Sequence, residues 1–99
     1  MFVGVAEIVV FIPHSGSLKA KRSVVNSLKD RIRSRFRAAV SEVEDQDLWQ
    51  RATVGVTVVG SDPGILEETL RSIRRLAESV NNGRIIDYHQ DVVPWSFED

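Results

Sequence analysis

The stretch VGVAEIVVFIPHSGSLKAKR, residues 3–22, holds a whole strand, its stop and the start of a helix. Extended chain sends successive side chains to opposite faces, so Gly4, Ala6, Ile8, Val10 and Ile12 share one face and Val3, Val5, Glu7, Val9 and Phe11 the other. Both faces are largely apolar, which predicts a central strand. Pro13 ends it. Ser15 or Ser17 then suits the N-cap of a helix, because a hydroxyl there accepts from the unpaired amides of the first turn. Leu18, Val25, Leu28, Ile32 and Phe36 recur at helical spacing and carry that helix to about residue 37.

Outward from this unit, AAVSEVED (38–45) predicts a more polar edge strand, and DQDLWQR (45–51) a tight connection with one helical turn. ATVGVTVVG (52–60) is rich in β-branched residues and predicts a buried strand. Asp62 as N-cap and Pro63 at the first helical position open a second helix, with Leu66, Leu70, Ile73, Ala77 and Val80 as its apolar face. Asn81, Asn82 and Gly83 stop it, and RIIDYHQDVV (84–93) is a last strand before Pro94. The order βαββαβ is the split βαβ arrangement of ferredoxin-like α+β sandwiches, a four-stranded antiparallel sheet with both helices on one face. Right-handed crossovers favour the strand order 4-1-3-2. Residues 1–99 then form one domain, with 94–99 as a short tail. This topology puts PHSGSLKAKR (13–22) and EDQDLWQR (44–51) on one rim, roughly two strand spacings or about 10 Å apart.

Ninety-nine residues with 42% hydrophobic and 27% charged content can close one core without metal or disulfide staples. With no cysteine there are no disulfides or thiolate chemistry, which suits a reducing cytoplasm. The apolar N-terminus lacks a basic leader and is too short to span a bilayer, so no membrane association is expected. Net charge is only −1, but residues 18–37 hold eight cations against Asp30 alone, a local +7 that leaves −8 elsewhere.

Two segments, PHSGSLKAKRSVVNSLKDRIRSRF (13–36) and SEVEDQDLWQRATVGV (41–56), resemble the YlxP-like bacterial family of small domains without an assigned function. The resemblance runs over about residues 3 to 80 and is weaker in DYHQDVVPWSFED. The matching positions are Pro13, His14, Ser15, Ser17, Leu18, Lys19, Lys21, Arg22, Glu42, Gln46, Asp47, Leu48, Trp49 and Gln50. It implies a ferredoxin-like fold and, through gene neighbourhoods rich in translation initiation and ribosome maturation, an intracellular role linked to translation. No catalytic residues carry over.

At the helix start, first-turn amides with Ser15, Gly16 and Ser17 are suited to a phosphate, and Lys19, Lys21 and Arg22 would add charge. Exposed cations there oppose the helix dipole by up to a few tenths of a kcal/mol each, a cost that an anionic partner reverses. The alternative is a serine cap followed by solvated cations. No G-x-x-x-x-G-K-[ST] motif occurs, which disfavours a nucleotide triphosphatase. Helical projection aligns Lys19, Arg22, Asn26, Lys29, Arg33 and Arg37 as a ridge able to track a phosphate backbone. The competing reading is a solvated helix whose cations pair with glutamates elsewhere.

The central strands lack the aromatics of sheet-based RNA readers, and Glu7, Glu42, Glu44, Asp87 and Asp91 predict an acidic open face, so stacking on the sheet is disfavoured. Val3, Val5, Val9 and Phe11 on that face imply a homodimer or cover by Trp95 and Phe97. His14 beside Ser15 lacks a third group to orient the imidazole, so it reads as a hydrogen-bonding or binding residue that, with Ser15 and Ser17, would help place a phosphate. His89 with Asp87 and Asp91, or Glu44 with Asp45 and Asp47, are weaker readings for a metal than a solvated strand and a capped turn. Trp49 is either an exposed anchor or a lid on the core end. The expectation is a non-enzymatic module without cofactor or metal. It docks RNA or a ribonucleoprotein through the helix and the rim residues Gln46, Asp47, Trp49 and Gln50. A homodimeric interaction module is the alternative, and a small enzyme on a phosphorylated metabolite comes third.

Overall fold

The computed structural model describes residues 1–97. Its elements are β1 (Phe2–Phe11), α1 (Leu18–Arg35), β2 (Ala39–Glu44), β3 (Arg51–Gly60), α2 (Pro63–Glu78) and β4 (Arg84–Pro94). The sheet is antiparallel throughout, in the order β2-β3-β1-β4, which is the expected 4-1-3-2 read from the other edge. The period-two reading of β1 holds on its inner face. Ala6, Ile8, Val10 and Ile12 join Val54, Val56 and Val58 of β3 beneath Val25, Leu28 and Ile32 of α1 and Leu66, Leu70 and Ile73 of α2. Ile8, Ile32, Leu70 and Ile73 are fully buried, and burial of each such side chain contributes about 1.5–3 kcal/mol. Gly4 lets α2 approach, since a Cβ there would lie 2.9 Å from Val58 Cγ2 and 3.1 Å from Leu70 Cδ1.

Both helices start as their caps predict. Ser17 Oγ accepts from the amide of Ala20, and Asp62 Oδ1 accepts from the amides of Gly64 and Ile65. The first helix ends two residues before expectation: Phe36 has left helical geometry, although its amide still reaches the carbonyl of Ile32. The connection 45–50 is a hydrogen-bonded turn without helix, closed by the Leu48 amide on the Asp45 carbonyl at 3.0 Å.

Register defines rows across the open face, which no helix covers. Along β3, β1 and β4 they run Val59–Val3–Val93, Thr57–Val5–Asp91, Gly55–Glu7–His89, Thr53–Val9–Asp87 and Arg51–Phe11–Arg84. A β-bulge between Val9 and Val10 gives β4 one extra residue, so Ile85 packs toward the core while Ile86 is left 46% exposed. At the other end, the Trp95 amide donates to the Met1 carbonyl at 2.9 Å, extending the ladder by a residue beyond Pro94. Trp95 and Phe97 pack edge to face on each other at 6.4 Å and remain largely exposed. Whatever cover Trp95 and Phe97 give the open face, Val5 remains 43% exposed. The expected tail thus begins as strand, and its last two residues lie outside the described residues.

Candidate docking surface: the basic helix and the adjoining rim

The two rim segments are closer than the spacing of about 10 Å expected from strand geometry. The Ile12 amide donates to the Gln50 carbonyl at 2.8 Å, and Gln50 Nε2 donates to the Pro13 carbonyl at 3.1 Å. Because β1 and β3 are direct neighbours, the chain leaving β1 and the chain entering β3 simply continue their ladder.

Lys21 leaves the set of anion-binding cations. Its side chain is 1% exposed, 2.8 Å from Glu42 Oε2, and Nζ also donates to the Asp45 carbonyl. Position 21 lies on the same helical stripe as Val25, Leu28 and Ile32, so it points inward. Glu42 meets it because β2 alternates and Val40 and Glu42 share the helix-facing side. Glu42 therefore does not belong to the open face. Its Oε2 is buried and has no well-directed hydrogen bond, so the contact with Lys21 is chiefly Coulombic. Ser15 and Ser17 are likewise engaged internally: the buried Ser15 hydroxyl donates to the Ser17 carbonyl, and the Ser17 hydroxyl caps α1.

The ridge remains. Lys19, Arg22, Arg33 and Arg37 are exposed and Lys29 is half-buried. Arg33 donates to the Val40 carbonyl at 2.7 Å and stands 3.9 Å from Asp30. Among the described residues, Lys19, Arg22, Lys29 and Arg37 enter no ion pair. On α2 the opposite holds, with Arg71 and Arg75 at 3.2 Å from Glu68 and Arg74 at 3.2 Å from Glu78. Hydrogen bonds from Arg75 and then Arg71 hold the Glu68 carboxyl below its ordinary range. Among the described residues, neutralisation of α1 by remote glutamates thus reaches only the inward Lys21.

Gln46, Asp47, Trp49 and Gln50 are exposed at the rim, Trp49 by 53%. The reading of Trp49 as a lid on the core end is not what the fold adopts. Instead Trp49 borders a depression of about 540 Å³ lined also by Phe11, Ser15, Leu48, Gln50, Arg51 and Ile86. Arg84 places its guanidinium 5.4 Å from the centre of the Phe11 ring. Arg84 and Ile86 were not legible as rim residues, because only the bulge and the β1–β4 register bring them there. Asp45 organises the rim from a left-handed backbone, φ 65°, accepting from Thr53 Oγ1 at 2.7 Å and from Arg51 Nε at 3.2 Å. His14 is exposed and lines a separate depression of about 260 Å³ with Ser15, Ala20, Ser23 and Asn82, and among the described residues no carboxylate lines it.

The expected dimer face divides into two. Val9 is 6% exposed and Phe11 sits at the rim beneath Arg84. Val3 and Val5 lie toward the far end beside Val59 and Val93. Among the described residues, no group of three or more His, Asp and Glu is placed to hold a metal ion, and no helix is long and apolar enough to cross a membrane.

Fold and surface together define a small split-βαβ sandwich carrying a cationic helix beside an aromatic rim. Residues 3–90 match the family described as a protein of unknown function, DUF503, and the chain belongs to that family. It is 34% identical over 77 residues to the "Uncharacterized protein YlxP" of Bacillus subtilis (strain 168), covering 78% of this chain and 84% of that protein. Among solved structures it is similar to a C-terminal segment of the alpha subunit of aIF2 from Pyrococcus abyssi, with a TM-score of 0.50 and 15% identity. The match covers 97% of this chain and 51% of that one, about half its length, and it shows a shared fold. A de novo designed protein with ferredoxin fold matches at a TM-score of 0.49 and 12% identity, over 100% of this chain and 95% of its own.

Proposed function

We propose that this protein is a non-enzymatic cytoplasmic module that docks RNA, free or within a ribonucleoprotein, along the outward flank of α1. The observation that carries this reading is the contrast between the helices: α2 neutralises its arginines locally, whereas Lys19, Arg22, Lys29 and Arg37 have no carboxylate partner among the described residues. From Lys19 to Lys29 the unpaired cations on the helix span about 15 Å at 1.5 Å per residue. Unpaired cations so spaced match a polyanion, and their binding energy comes largely from released counterions. The test is affinity for ribosomal subunits and for a single-stranded RNA across a salt series. Four neutralised phosphates on a single strand give a log–log slope of about −3. The triple change Lys19→Glu, Arg22→Glu and Lys29→Glu is expected to flatten that slope by about 2. Glutamate at position 19 also suits the helix dipole, so folding is not the confounding loss. An unchanged slope, or no binding at low salt, overturns the reading.

A second reading, a homodimer, is favoured by the row Val59–Val3–Val93, where Val59 is 65% and Val93 38% exposed beside the half-exposed Val5. Glu7, Asp87 and Asp91 in the neighbouring rows would repel their own copies, so pairing is confined to this end of the sheet. Light scattering is expected to give a dimer mass for the native chain and a monomer mass for Val5→Glu. A monomeric native chain ends this reading.

A further inference from the structure

The rim depression combines two features that the ridge lacks, exposed aromatic surface and concavity, and an arginine outside its lining, Arg84, lies over the ring of its lining residue Phe11. Trp49 is half-exposed, and Phe11 is stacked by Arg84, which joins no ion pair among the described residues. Arg51 flanks Phe11 on the other side of the same cross-strand row, its charge shared with Asp45 at 3.2 Å. A depression of about 540 Å³ falls within the range of about 300–1,000 Å³ typical of small-ligand sites. A flat, neutral ring joined to an anion complements this set. The ring meets aromatic and guanidinium planes, and the anion meets the outer face of Arg84.

We propose that the rim is a base-stacking subsite for an unpaired RNA nucleotide, whose base lies against Trp49 and whose phosphate is held by Arg84. This rests on the RNA reading of α1 and deepens it, because Ser15 lines the depression only two residues before the cap of α1. A strand following Lys19 and Arg22 therefore reaches the rim at its next few nucleotides. Stacking occurs at the end of β1 and on the β2–β3 turn, not across the sheet centre, where Glu7, Asp87 and Asp91 face the open side. A duplex buries its bases and cannot use the site, so the inference selects single-stranded RNA.

The test uses the full chain carrying Trp95→Phe, which leaves Trp49 as its sole tryptophan. It is titrated with an unstructured RNA of about eight nucleotides and with an RNA duplex. Trp49 emission is expected to quench saturably with the single strand and to stay constant with the duplex. Trp49→Ala is expected to weaken single-strand binding by about 5- to 150-fold at an unchanged salt slope, while Trp49→Phe retains most of the affinity. Arg84→Gln is expected to lower the slope by about 0.7, one phosphate's worth. A single strand that binds with the ridge's salt slope while Trp49 emission and Trp49→Ala affinity stay unchanged overturns the rim subsite and leaves the ridge standing. Absence of RNA binding at low salt overturns both.

Discussion

Replacement of Lys21 by alanine is expected to destabilise the fold by about 3–5 kcal/mol, the cost of stranding one member of a buried ion pair. Lys21 is 1% and Glu42 17% exposed, so solvent screens their 2.8 Å contact little. The ammonium also holds the Asp45 carbonyl, and its loss unties α1 from the β2–β3 turn at the same time. For a domain of this size the melting temperature then falls by more than about 10 °C. The charge itself is not what the fold needs. Lys21→Met paired with Glu42→Leu restores an apolar contact of similar volume and is expected to recover most of the loss, because isosteric replacement of buried pairs is often neutral or better. Denaturant unfolding of the two single variants and the double variant gives the coupling as a double-mutant cycle. A cost below about 1 kcal/mol for Lys21→Ala would return Lys21 to the pool of free cations.

The history of Lys21 shows where sequence reading succeeds and where it stops. Strand and helix periods are local properties, so Ala6, Ile8, Val10 and Ile12 fell on the core face as their alternation requires, and Asp62 and Ser17 cap the helices they precede. Strand order followed from crossover handedness acting on those elements. Charge is different, since its meaning depends on what a neighbouring element supplies. Lys21 shares the angular position of Val25 and Leu28, and that projection sets it apart from the anion-docking cations Lys19 and Arg22. The face that Glu42 takes is not legible locally, because the phase of a short, bulged strand is not fixed by its own residues. The rim was legible as a pair of neighbouring segments. Its aromatic depression was not, because Arg84 and Ile86 arrive through a bulge that no local pattern announces.

Asp45 is where the ion pair and the rim meet, and Asp45→Ala is expected to cost about 3 kcal/mol. Two separable contributions make up that figure. The first is side-chain: the carboxylate accepts from Thr53 Oγ1 at 2.7 Å, and Thr53 is 2% exposed, so no solvent replaces the lost acceptor. An unsatisfied buried hydroxyl costs about 1–3 kcal/mol, whereas the half-exposed Arg51 pair adds about 0–1 kcal/mol. The second is backbone: at φ 65° an alanine Cβ crowds the following carbonyl, a strain of about 1–2 kcal/mol that aspartate and asparagine offset by local hydrogen bonding and glycine avoids. Three variants therefore separate the contributions. Asp45→Asn keeps an acceptor and tolerates the backbone, Asp45→Gly keeps only the backbone, and Asp45→Ala keeps neither, so stability by chemical denaturation is expected to fall in that order. Equal losses for glycine and alanine would assign the whole effect to Thr53 and Arg51. Equal losses for asparagine and alanine would assign it to the negative charge, which then matters to the rim chiefly as the counterweight that keeps Arg51 beside Phe11.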